Sequence, residues 1–165
     1  MKDSERENNL PPAPKNGDIL RVNRGLYSHY GVYVSDSDHV IHYTGANGPD
    51  DFNGIVRETT LAEFLNGSPA YSVCTFPEHP ADLPAAHEGN RLSRILRFIR
   101  EVKLTGYHLY SGDETVRRAR SKLGEGGYNL AFNNCEHFAV WCKTGVKESS
   151  QVNRVLDIIA SFFDR

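Results

Sequence analysis

Four turn-forming residues in a row, Ser35-Asp36-Ser37-Asp38, separate two short β-rich runs, 30–34 (Tyr-Gly-Val-Tyr-Val) and 40–43 (Val-Ile-His-Tyr). So short a connection commits the two runs to antiparallel pairing, because a parallel crossover needs a dozen residues or more. The turn also bounds the register. Residues near 29 and near 42 fall close to opposite one another, so the imidazoles of His29 and His42 can meet across the ladder within hydrogen-bonding reach. Alternation places Val40 and His42 on one face of their strand and Ile41 and Tyr43 on the other. His39 lies nearer the turn and therefore further from His29.

The rest of the chain continues the pattern of short strands and adds helices. Residues 18–22, 55–57 and 71–76 read as further strands, and Thr60 caps a short helix through Leu65 that Gly67 stops. Ser111-Gly112-Asp113-Glu114 is a capping box that opens a helix ending at Gly124. Residues 77–89 are Pro-rich and read as a loop. Residues 91–104 set Leu92, Ile95, Leu96, Ile99 and Val102 on one helical face among Arg91, Arg94, Arg97, Arg100 and Lys103. That segment is either a core stripe under a solvated face or an interfacial contact with anionic lipid. A second amphipathic stretch, 152–163, suits a packing helix or an oligomer contact. The expected organisation is a disordered or extended lead-in over 1–16, one domain over 17–146 and a C-terminal amphipathic segment over 147–165. The expected fold class is α+β, an antiparallel sheet with packed helices.

Composition narrows the partners. Nineteen Lys and Arg against 21 Asp and Glu leave a net charge of −2, too balanced for a dedicated nucleic-acid binder. Residues 1–9 are polar with no apolar signal core, and no apolar run reaches the roughly 18 residues of a membrane span. Cys74, Cys135 and Cys142 are an odd number in no metal-ligand spacing. They suit reduced thiols in a cytoplasmic setting, with no metal and no cofactor expected.

Cys135 follows Asn133-Asn134, residues that favour helix N-caps, and precedes an apolar helical pattern through Phe138, Ala139, Trp141 and Cys142 that Gly145 stops. A thiol at a helix N-terminus faces unpaired backbone N–H groups and the positive dipole end, which lower its pKa from about 8.5. Taken alone, Cys135 reads equally as a small buried hydrophobe. A cysteine nucleophile needs an imidazole to take its proton and a polar group to hold that imidazole. The arrangement inferred from the residues is Cys135 as nucleophile, His29 as general base and His42 as orienting group. The Cys135 backbone N–H serves as oxyanion donor, with Tyr30 and Asn134 in support. His137, two residues along the helix, points to a different face and is read as structural. Glu136 favours the helix start.

Four motifs in order and spacing carry a resemblance: Gly17-Asp18-Ile19-Leu20, Ser28-His29-Tyr30-Gly31-Val32-Tyr33-Val34, Val40-Ile41-His42-Tyr43 and Asn134-Cys135-Glu136-His137-Phe138. Over residues 16–146 the chain resembles the lecithin retinol acyltransferase family, which includes small phospholipase/acyltransferase enzymes and belongs to a circularly permuted branch of the papain-like thiol hydrolases. The resemblance implies that Cys135 takes an acyl chain from a glycerolipid as a thioester, that His29 activates it and that His42 orients His29. The acyl group then passes to water, an amine or an alcohol. Familiar lipid-modifying members end in a long apolar anchor helix. Here the last segment is short and interrupted by Asp157 and Asp164, so membrane contact, through 91–104 or 152–163, is expected to be peripheral. A thiol peptidase or amidase of the same fold, and a catalytically silent lipid- or protein-binding module, are the alternatives.

Overall fold

The computed structural model describes residues 13–45, 54–76, 78, 107–126 and 134–146. Among the described residues five strands run in chain order, β1 (Ile19–Asn23), β2 (Ser28–Val34), β3 (His39–Thr44), β4 (Ile55–Thr60) and β5 (Ser72–Cys74). They form one antiparallel sheet in the order β4-β3-β2-β1-β5. Among the described residues three helices accompany it: α1 (Leu61–Leu65), α2 (Gly112–Arg120) and α3 (Asn134–Thr144). The class is α+β. The basic segment 91–104, the Pro-rich loop 77–89 apart from Glu78, Asn133 and the amphipathic stretch 152–163 lie outside the described residues. Among the described residues no helix is long and apolar enough to cross a membrane.

The period-two alternation of the strands builds a core on each face of the sheet. Ile19, Tyr30, Val32, Val34, Ile41 and Val56 face α2 and α3, meeting Val116, Ala119, Phe138, Ala139, Cys142 and Val146. Leu20, Val22, Tyr33 and Val40 face the other way, onto Phe64 of α1. The central strand β2 is covered on both sides, and every residue from His29 to Val34 is buried.

Local chemistry sets the ends of the elements. Thr60 closes β4 and caps α1 through a reciprocal capping box with Glu63. Asn66, in the left-handed region at φ 46°, ends that helix one residue before the expected stop at Gly67. Ser111 and Glu114 form the anticipated capping box of α2. That helix ends at Arg120 and not at Gly124, because the following turn bonds to the outer edge of β4. Gly124 donates to the Val56 carbonyl at 2.9 Å, and Val56 donates to Glu125 at 3.0 Å. The α2 residue Arg118 caps the far end of α3, donating to the carbonyls of Trp141 (2.9 Å) and Cys142 (3.1 Å) while its guanidinium lies over the Tyr110 and Trp141 rings. Gly145, at φ 75°, then turns the chain away.

Candidate active site

The β2–β3 ladder pairs Val34 with His39 and ends at Gly31 opposite His42. His29 is two residues beyond that last pair, on the same face as His42. Across this diagonal the two rings meet edge to face, with His29 Nε2 2.8 Å from His42 Nδ1. His39, as its nearness to the turn implied, lies elsewhere and faces Glu58 at 3.5 Å. Phe64 packs on both imidazoles, its ring centroid 5.3 Å from that of His29 and 5.2 Å from that of His42. Gly31 makes this possible. A Cβ at that position would collide with a Val40 methyl and come within 3.0 Å of the Phe64 ring and 3.1 Å of His42 Cβ. Arg24, in the turn between β1 and β2, donates to the Phe64 carbonyl at 2.6 Å and ties that turn to α1.

The other ring nitrogen of His42 is engaged as well. Its Nε2 lies 2.8 Å from the Thr59 hydroxyl, which itself lies 3.4 Å from the Thr60 carbonyl. Thr59 is opposite Val40 and Arg57 is opposite His42 in the β3–β4 register, so the Thr59 contact is another cross-strand diagonal. Sequence reading alone missed Thr59, Phe64 and Gly31, because their contribution depends on the register of three strands and on where α1 folds back.

Cys135 approaches β2 from the helix-bearing face. Its sulfur lies 3.9 Å from the Ser28 carbonyl, and the Tyr30 backbone N–H is directed at it. The thiol thus sits against the main chain on either side of His29. Tyr30 and Ser28 turn these groups toward the β3 side of the strand, where the ladder no longer runs. Cys135 is the second residue of α3, and Asn134 is the first. The Tyr30 side chain is buried in the same apolar cluster, and burial raises its phenol pKa, keeping it a donor.

Burial reverses the expected direction of the Cys135 thiol. Desolvation pushes its pKa up to about 11, outweighing the Tyr30 N–H and the N–H groups at the helix start, and the Glu136 carboxylate adds to the rise. The resting sulfur is therefore a thiol at neutral pH. As a nucleophile it would need a base at the moment of attack rather than a standing thiolate. His42 moves down to about 3, first through burial and then through His29 and Arg24. His137 is also lowered by burial, and its Nε2 has no hydrogen-bond partner among the described residues. Cys74 and Cys142 are buried, unpaired thiols whose pKa values burial also raises. Among the described residues no group of three or more His, Cys, Asp or Glu is placed to hold a metal ion.

The depressed His42 pKa carries a sign for stability. In the unfolded chain this ring takes up a proton near pH 6.5, whereas the folded protein resists it until about pH 3. The unfolded state binds more protons throughout that window, so each pH unit lost below 6.5 removes up to about 1.4 kcal/mol. His137 acts in the same direction. Urea midpoints should fall from pH 7.5 to pH 5, and His42→Gln should flatten that slope. An unchanged slope in the variant would show that His42 titrates normally in the folded protein.

The fold and site define an α+β class in which two imidazoles and a helix-start thiol converge on one end of a central strand. The family model described as lecithin retinol acyltransferase matches residues 12–148, and the chain belongs to that family. The chain is similar to lecithin retinol acyltransferase of Mus musculus, at 24% identity over 151 residues covering 87% of this chain and 60% of the relative. It is also similar to phospholipase A and acyltransferase 1 of Homo sapiens, at 28% identity with 92% and 80% covered. For phospholipase A and acyltransferase 2 of Homo sapiens the identity is 25%, with 86% and 77% covered. The chain thus spans about 60% of the length of the retinol acyltransferase relatives.

Proposed function

We propose that this chain is a cysteine-dependent acyltransferase and acyl hydrolase acting on glycerophospholipid esters, with the circularly permuted papain-like arrangement of its family. The observation that carries this reading is the His29–His42 bond at 2.8 Å beside a thiol seated against Ser28 and Tyr30. Relatives named phospholipase A and acyltransferase support the choice of a lipid acyl donor. His29 removes the Cys135 proton as sulfur attacks the ester carbonyl. The C–O bond then breaks, and His29 returns the proton to the departing lysolipid oxygen. Water, an amine or an alcohol next attacks the thioester with His29 again taking the proton, and the thiol is regenerated. The Cys135 N–H at the start of α3 serves the oxyanion, with Tyr30 and Asn134 in support. His42, neutral and buried, orients His29 and need not change charge.

Intact-mass spectrometry after incubation with a mixed phospholipid panel tests the reading. The expected result is an acyl mass adduct that maps to Cys135 and is removed by hydroxylamine. Cleavage of peptide amides with no lipid-derived adduct would overturn it in favour of a thiol peptidase.

A further inference from the structure

The turn between β1 and β2 holds a leucine out in solvent. Leu26 is 99% exposed, whereas Leu123, the other exposed large hydrophobic among the described residues, is at 43%. A single exposed leucine is ordinary on a protein surface, but this one is fixed in place. The Arg24 N–H donates to the Tyr27 carbonyl at 2.8 Å, the Leu26 N–H to the Arg24 carbonyl at 3.1 Å, and the Gly25 N–H to the Asn23 side-chain oxygen at 2.8 Å. Gly25, at φ 83°, takes the left-handed backbone that this tight turn needs. The Arg24 guanidinium then ties the turn to the end of α1 through the Phe64 carbonyl. Leu26 is therefore displayed by a braced loop.

The place of that loop is what gives the leucine a use. Val22 is opposite His29 and Asn23 opposite Ser28, so the turn caps the end of the sheet that carries the thiol and the imidazoles. The chain enters β5 from the same end, because Ser72 is opposite Arg21 in an antiparallel pair. Pro69 and Ala70, both exposed, arrive there just before it. This end of the sheet thus presents Leu26, Pro69 and Ala70 to solvent.

Charge is divided along the strands as well. Residues 24–27 and 65–71 include Arg24 and no acid, and Arg21 stands behind them, half-buried on β1. Two acids share this end: Glu136 is half-buried at the start of α3, and Glu125, across the sheet, is paired with Lys122. At the opposite end, where β1 begins, β2 turns into β3 and α1 starts, Asp18, Asp36, Asp38 and Glu63 outnumber Lys15 and Lys143. An apolar tip backed by arginines, with the acids turned away, is complementary to a layer of lipid phosphates over hydrocarbon.

We propose that the site end of the sheet docks on a phospholipid bilayer surface, with Leu26 as the side chain that enters the boundary between headgroups and acyl chains. The proposal deepens the proposed function, on which it rests for the reason a lipid surface is met at all. Docking at this end brings Cys135 and His29 to the surface from which an ester would be drawn. The contact itself is measured without turnover.

The probe is a vesicle of phosphatidylcholine and phosphatidylserine, and binding of the full chain is read by sedimentation. Leu26→Ser should weaken binding about tenfold, the lower end of what burying a leucine side chain contributes. Its thermal midpoint should match wild type, because an exposed side chain has no packing to lose. Leu26→Trp should bind at least as tightly as wild type, and its added indole should be quenched by brominated phosphatidylcholine, with wild type supplying the background of Trp141. Wild type that does not sediment with the vesicles, or Leu26→Ser that binds as well as wild type, overturns the proposal. So does an indole at position 26 that is shielded from acrylamide before lipid is added, since another part of the chain or a second copy then covers it. Binding that depends on Leu26, with no phospholipid turnover by wild type, would support the docking surface and overturn the proposed function. Turnover with binding indifferent to Leu26 would overturn the docking surface and support the proposed function.

Discussion

Cys135→Ser is expected to lower turnover of phospholipid by roughly 10³-fold or more, the scale at which loss of a nucleophile leaves only binding and oxyanion stabilisation. A serine hydroxyl is a far poorer nucleophile than a thiol in the same place, and a site shaped around sulfur does not position the smaller oxygen for attack. The fold should survive. The site is buried and the Ser28 carbonyl stands 3.9 Å from the sulfur, too far for a hydroxyl without a local shift, so the structural cost should be on the order of 1 to 3 kcal/mol. Turnover and thermal unfolding of the same preparation check both halves. A variant that keeps more than about a tenth of wild-type kcat, against the far larger loss expected of a nucleophile, would remove Cys135 from that role.

The second large effect belongs to the imidazole. His29→Ala should cut kcat roughly 10²- to 10⁴-fold, the span of general acid–base catalysis. His137→Ala should cost much less, although His137 is only two residues from Cys135 in sequence. His29 stands between the two backbone groups that touch the sulfur and is bonded to His42. His137 presents a buried nitrogen with no partner among the described residues, so its removal discards an unsatisfied polar atom. Since His29→Ala also leaves a space beside Phe64, its unfolding midpoint must be read alongside its rate. Should His137→Ala be the slower enzyme, the base has been misassigned.

The meeting of His29 and His42 was legible because a four-residue turn leaves little freedom in register, and the alternation of Val40, His42 against Ile41, Tyr43 follows from strand geometry alone. The Ser111–Glu114 capping box and the Thr60 cap were legible for a similar reason, since helix-capping residues are a local signal, while the reciprocal Glu63 half of the first box was not read. What escaped depends on the third dimension. The direction of the Cys135 pKa is a contest between helix-start N–H groups, which the sequence reveals, and burial, which depends on how α3 lies on β2. Thr59 was hidden by a strand taken to end at Arg57, when β4 runs on to Thr60. The covering of the sheet on its second face by α1 was equally invisible in a five-residue helix.

The seat of the sulfur is made of peptide groups, the part of the polymer common to all twenty residue types. Mutational drift at Ser28 or Tyr30 changes what surrounds the Cys135 sulfur without relocating it, because the carbonyl and N–H remain whatever side chain they carry. Under the proposed function, a lineage can therefore remodel what surrounds the sulfur and acquire new acyl acceptors while the attacking atom stays put. The vulnerability lies elsewhere: a one-residue slippage of β2 would reverse both groups at once, which ties the chemistry of the pocket to the integrity of strand pairing.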